Sequence, residues 1–82
     1  MIIDKYVKAY GGPLDGQVVG APGSGRSFEI AYDGKVHNYR LEAFVVLEPD
    51  VLDVRKVYAA VHESIKDANT LSQRVAESVE AA

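Results

Sequence analysis

The chain has no cysteine among its 82 residues, which removes both a disulfide staple and a thiolate metal site. It also lacks any run of about 18 consecutive apolar residues, the length a membrane helix needs. Residues 1–4, Met-Ile-Ile-Asp, do not form the basic stretch and apolar run of a secretory leader, so the expectation is a soluble, untargeted, cytoplasmic protein. Net charge is −3, with nine Lys and Arg against twelve Asp and Glu dispersed along the chain. That distribution carries neither the basic stripe of a nucleic-acid binder nor enough acid to mimic DNA. No internal repeat or low-complexity segment is present. A single small domain without covalent staples is marginally stable, so self-association is the expected reinforcement.

The first half reads as strands. Residues 2–10 alternate, with Ile3, Val7 and Ala9 on one side and Tyr6, Lys8 and Tyr10 on the other. A reversal follows at Gly11, Gly12, Pro13, Leu14, Asp15 and Gly16: the glycines permit positive φ, Pro13 fixes its own φ, and the Asp15 carboxylate can bond neighbouring amides. Residues 17–19 fit a short strand and 20–25 a Gly/Pro/Ser loop. Asp33 and Gly34 between two alternating runs are the strongest short-range signal, a two-residue hairpin turn. That turn sets Tyr32 against Lys35, Ile30 against His37 and Phe28 against Tyr39, with Gly34 at positive φ. Residues 43–47 form an apolar run expected to be a further buried strand.

The last third reads as one long amphipathic helix over 50–82. Val54, Val57, Val61, Ile65, Ala68, Leu71, Val75 and Val79 fall on one stripe at the helical period. Asp50 serves as N-cap, and no Gly or Pro follows Pro49. Such a helix would be roughly 48 Å long, more than twice the length of a typical strand of about 17 to 20 Å. The resulting fold is α+β: a small antiparallel sheet of three to five strands over 1–47, then the helix, its distal half overhanging. Ile65, Ala68, Leu71, Ser72, Val75 and Val79 then form the seam of a homodimer or the seat of another protein.

Enzyme signatures fail on inspection. Residues 20–27, Gly-Ala-Pro-Gly-Ser-Gly-Arg-Ser, match phosphate-loop spacing with Arg26 in place of lysine. Such a loop must open into a helix whose N-terminus faces the anion, whereas residues 27–32 alternate as a strand. His37 sits among aromatics as a structural residue, His62 lies at the margin of the stripe, and Ser24 and Ser64 lack a sequence-visible base. No catalytic residue, metal ligand or cofactor is expected. The five tyrosines read as the rim of a small core.

The stretch 10–17, Tyr-Gly-Gly-Pro-Leu-Asp-Gly-Gln, with Asn38-Tyr39-Arg40-Leu41 further on, resembles small proteins of actinobacteria and their bacteriophages, in which a Gly-Gly-Pro-Leu-Asp-Gly turn joins the first two strands of a small sheet. The resemblance covers residues 1–47. It implies a phage or prophage origin and a small accessory protein that binds another protein of host or phage, and it implies no catalytic residue. The leading expectation is therefore a non-enzymatic accessory protein acting by protein–protein interaction and self-associating through its helix. The alternative is a small DNA-associated regulator whose dimer presents Lys5, Lys8, Arg26, Lys35 and Arg40.

Overall fold

In the computed structural model, which describes residues 3–22, 27–48 and 53–81, the chain is mostly sheet. Five strands, β1 (Ile3–Tyr10), β2 (Val18–Pro22), β3 (Ser27–Tyr32), β4 (Lys35–Glu48) and β5 (Asp53–His62), precede one short helix, α1 (Ser72–Ala81). The strand order is β2-β1-β5-β4-β3. All neighbours run antiparallel except β1 and β5, which pair in parallel through Lys8 to Ala59, Ala9 to Ala60 and Tyr10 to Val61. The sheet curls into a nearly closed barrel. Its two edge strands meet in one core: Ala21 of β2 and Phe28 of β3 share a cluster with Val7, Ala9, Leu14, Tyr39 and Ala60.

The hairpin register is the expected one. Tyr32 pairs with Lys35, Ile30 with His37 and Phe28 with Tyr39, and both turn residues take positive φ, 51° at Asp33 and 76° at Gly34. A turn with both central residues left-handed matches the right-handed twist of the flanking strands. The other turn also forms where expected. Gly11, Gly12 and Gly16 have φ of 81°, 67° and 85°, Pro13 sits in a 3-10 turn (Gly12–Leu14), and Asp15 Oδ1 accepts the Gly11 N–H at 2.7 Å. Residues 20–22 belong to β2, so the expected loop over 20–25 is shortened from its start. Residues 23–26 lie outside the described residues, and a strand, not a helix, follows them.

The long helix is the reading that the structure overturns. Residues 53–62 are a central strand, and only 72–81 are α-helical. Asp50, the expected cap, lies outside the described residues. Strand β5 is covered on both faces: Ala60 joins the inner cluster, while Ala59 and Val61 join an outer one with Tyr10, Phe44, Val46, Leu71 and Val75. A strand buried on both sides needs a continuous apolar run rather than alternation, and Val57, Tyr58, Ala59, Ala60 and Val61 supply it. Such a run matches a helical stripe equally well. The expected strand at 43–47 is the second half of β4, with Phe44 and Val46 buried and Ala43, Val45 and Leu47 exposed.

Helix α1 closes the outer face. Ten residues are too few to hold a helix in water unaided, so packing of Leu71 and Val75, 5% and 1% exposed, is what keeps it formed. Its start is set by Asp67, whose carboxylate accepts the Asn69 N–H at 3.0 Å, with a 3-10 turn (Ala68–Leu71) leading in. Arg74 fastens it to the first turn: two N–H groups reach the Asp15 carboxylate at 3.2 and 3.3 Å, and the guanidinium lies 4.8 Å from the Tyr10 ring centre.

Candidate interaction surface

The expected seam is used up inside the chain. Leu71 and Val75 are buried against the chain's own sheet, and Ile65 and Ala68 pack at the margin of the same cluster. Ser72 is exposed, and the side chain of Val79 lies outside the described residues. The overhang that would have exposed these residues does not form, because the first half of the expected helix is strand β5. Of the turn residues, Gly11, Gly12, Gly16, Asp33 and Gly34 take positive φ, Pro13 lies in the 3-10 turn and Asp15 accepts the Gly11 N–H.

A different apolar surface is bare. Residues directly opposite in an antiparallel pair share a face, and alternate residues along a strand share it too. The unbroken register of β4 with β5 pairs Tyr39 with His62, Leu41 with Ala60, Ala43 with Tyr58, Val45 with Lys56 and Leu47 with Val54, so these ten positions lie on the inner face. Near the barrel they are covered. Further out they are not: Val45, Leu47 and Val54 are 73%, 64% and 59% exposed. The cause is a mismatch of lengths. Strand β3 pairs with β4 only as far as Arg40, while β4 runs on to Glu48, so β4 and β5 project as a two-stranded ribbon whose outer face alone is covered. At the mouth of the barrel, where the ribbon leaves it, Lys5 and Lys56 sit 4.1 and 5.3 Å from the Tyr58 ring centre.

At the opposite end of β5 the structure assembles a polar cluster that sequence reasoning missed. His62, 8% exposed, has Nε2 3.0 Å from His37 Nδ1 and Nδ1 2.8 Å from the Ser64 hydroxyl. The Ser64 backbone N–H donates to the same Nδ1 at 3.1 Å. Because an amide can only donate, Nδ1 is the acceptor, the proton of neutral His62 is on Nε2, and it is given to His37. The ring lies against Gly12, where a Cβ would overlap it, and edge-on to Tyr39 at 5.0 Å between centres. The Tyr39 hydroxyl donates to the Gly11 carbonyl at 3.1 Å, and burial raises its pKa.

Ser64 thus has a base within reach. Stabilising a tetrahedral oxyanion takes preorganised donors, and the local amides are committed. Glu63 N–H donates to the Asn38 carbonyl, Ile65 N–H to the His62 carbonyl, and Asn38 N–H to the Glu63 carboxylate at 2.7 Å. That last bond, with the neighbouring imidazoles, lowers the Glu63 pKa. The cluster ties β4, the end of β5 and the first turn together. A shallow depression of about 120 Å³ beside it is lined by Ser27, Asn38, Tyr39, Arg40, Val61 and Glu63. There Arg40 is engaged by the Ile65 carbonyl at 2.6 Å and by Glu42 at 3.2 Å.

The basic residues of the alternative reading are placed on several elements among the described residues. Lys5 and Lys8 stand on opposite faces of β1, Lys35 follows the hairpin turn, Arg40 is held as above, and Arg26 lies outside the described residues. Among the described residues no helix is long and apolar enough to cross a membrane, and no group of three or more His, Asp or Glu is placed to hold a metal. Comparison with protein-family models, with curated proteins and with solved structures finds no match to this chain.

Proposed function

We propose that this protein is a small non-enzymatic accessory protein that works by protein–protein contact and self-associates, with the bare face of the β4–β5 ribbon as its contact surface. The observation that carries the reading is the row Val45, Leu47 and Val54, more than half exposed on a projecting ribbon. A two-stranded ribbon is marginal in water unless its faces are covered, and apolar side chains grouped on one exposed surface mark interaction sites. The phage-type role rests on the resemblance of the Gly-Gly-Pro-Leu-Asp-Gly turn alone. Sedimentation equilibrium at micromolar concentration tests the reading. A mass above the monomer is expected, reduced to the monomer by Leu47→Lys with the circular dichroism spectrum unchanged. A monomer mass for the unmodified protein throughout that range would refute it.

A further inference from the structure

We propose that Ser64 is an acyl acceptor: its hydroxyl, activated by His62, takes an acyl group from an activated carboxylic ester such as an aryl ester or a thioester. This goes beyond the contact surface of the ribbon and does not depend on it. In such a transfer the chain is the substrate rather than a catalyst that turns over, which leaves the accessory role as it is. The direction of three hydrogen bonds carries the inference. His62 Nδ1 accepts the Ser64 N–H, so that nitrogen bears no proton, and the Ser64 hydroxyl 2.8 Å away has to donate to it as well. On the far side of the ring, Nε2–H is given to His37 Nδ1 at 3.0 Å. A hydroxyl aimed at a bare imidazole nitrogen, with the other nitrogen oriented by a third group, is the arrangement of an activated nucleophile.

The fold holds the base still and leaves the nucleophile open. The His62 ring is buried, lies where a Cβ on Gly12 would overlap it and meets Tyr39 edge-on at 5.0 Å, so its rotation is blocked from two sides. Ser64 is exposed in the turn that follows β5, where an ester can reach it from solvent. The Thr70 hydroxyl, by contrast, donates to the Asp67 carbonyl at 2.8 Å, a group too weakly basic to take its proton.

The step balances within these residues and the ester. Ser64 Oγ attacks the carbonyl carbon, an Oγ–C bond forms, and the hydroxyl proton passes to His62 Nδ1. When the tetrahedral intermediate collapses, the bond to the leaving oxygen or sulfur breaks and that atom takes the proton from Nδ1. The products are an O-acyl serine and the free phenol or thiol. The imidazolium formed in between keeps its Nε2–H on His37, and the Glu63 carboxylate, which interacts with both imidazoles, offsets its charge. Arrival of the proton also displaces the Ser64 N–H from Nδ1. That amide is committed only while the nitrogen is bare, and on release it can donate to the oxyanion on the carbon bonded to its own Oγ.

The probe is p-nitrophenyl acetate, with nitrophenol release followed by absorbance and the acetyl groups located by peptide mass mapping after an acid quench. Acetylation of Ser64 is expected to run about a hundredfold faster than that of Ser72, which is also exposed but lies on α1, and to slow in heavy water. Because His62 is buried and its replacement can unfold the chain, the relay is tested at the half-buried His37. His37→Leu removes the acceptor that orients the ring and should slow Ser64 acetylation by about tenfold or more. His37→Gln, whose side-chain oxygen can accept the same N–H, should restore most of the rate, with the circular dichroism spectrum unchanged in both variants. Equal acetylation of Ser64 and Ser72, or a Ser64 rate indifferent to heavy water and to His37→Leu, would overturn the assignment.

Discussion

Whether α1 is core or contact surface is decided by Val75. Its side chain is 1% exposed, in one cluster with Tyr10, Phe44, Val46, Ala59, Val61 and Leu71. Val75→Ala removes the equivalent of two methylene groups, about 1.6 kcal/mol at roughly 0.8 kcal/mol each. The space left between helix and sheet adds to this, since surrounding side chains relax only in part, for a total of about 2 to 3 kcal/mol. A domain of this size has on the order of 4 to 12 kcal/mol in all, so the melting temperature should fall by roughly 10 to 20 °C. Val45→Ala, at a position 73% exposed, should change the stability of the dilute monomer by less than about 0.5 kcal/mol. The assay is urea and thermal unfolding at several protein concentrations, with sedimentation on the same samples. If Val75→Ala left melting unchanged and lowered the mass, helix α1 would be a seam between copies, and its packing on β4 and β5 would be refuted.

Gly12→Ala combines a left-handed backbone, φ 67°, with a Cβ that overlaps the His62 ring, and should cost more than about 2 kcal/mol. Gly16→Ala, at φ 85° with open space around it, should cost only the backbone strain of about 1 to 2 kcal/mol; equal losses in urea unfolding would show that the His62 contact is not made. Gly34→Val, also in open space, should lower stability by about 1 to 2 kcal/mol or more through strain alone, whereas Gly34→Asn should be nearly neutral; equal effects of the two would argue against the type I′ turn. Acid should weaken the fold through two carboxylates. The Gly11 N–H and then Arg74 hold the pKa of Asp15 down, and the Asn38 N–H holds down that of Glu63. A pKa depressed in the folded state gives stability that is present above the unfolded value, about 3.9 to 4.3, and lost as pH falls through the folded one. Asp15→Asn should therefore flatten the slope of stability with pH below about pH 4, by less than about 1 kcal/mol because the carboxylate is nearly half exposed; an unchanged slope would show that the Arg74 clamp does not form.

What could be read from the sequence was local. The turn at Asp33 and Gly34 fixes the pairing of β3 with β4 through two residues and a side-chain period of two, and the register follows without knowledge of the rest. Strand β5 could not be read this way, because its apolar residues answer to two layers at once: Val57, Ala59 and Val61 face α1 while Tyr58 and Ala60 face the barrel. The signal that favoured a strand was β-branched density, Val54, Val57 and Val61 with Tyr58 in ten residues. The end of the strand was hidden as well. No Gly or Pro marks it, since the chain is turned instead by polar side chains that bond the backbone: His62 takes the Ser64 N–H, and Asp67 takes the Asn69 N–H. His37 and His62, 25 residues apart, come together only through the register of β4 on β5.

The length of β4 is the feature that the barrel itself does not explain. Pairing with β3 is complete at Arg40, and the inner cluster extends along the strand no further than Leu41, so a strand built only to close the barrel could stop there. It continues through residues 42–48, and β5 matches it rung for rung back to Asp53. On the outer face this extension is used, because Phe44 and Val46 join the cluster beneath α1. Covering α1, however, places no demand on the inner face, where polar residues would keep the ribbon soluble and β-propensity could be met by threonine. Instead Val45, Leu47 and Val54 stand there beside a single Lys56. Val18 and Val36 are also more than half exposed, but Val45, Leu47 and Val54 share one face of a surplus ribbon, which is why that face is the contact surface proposed above.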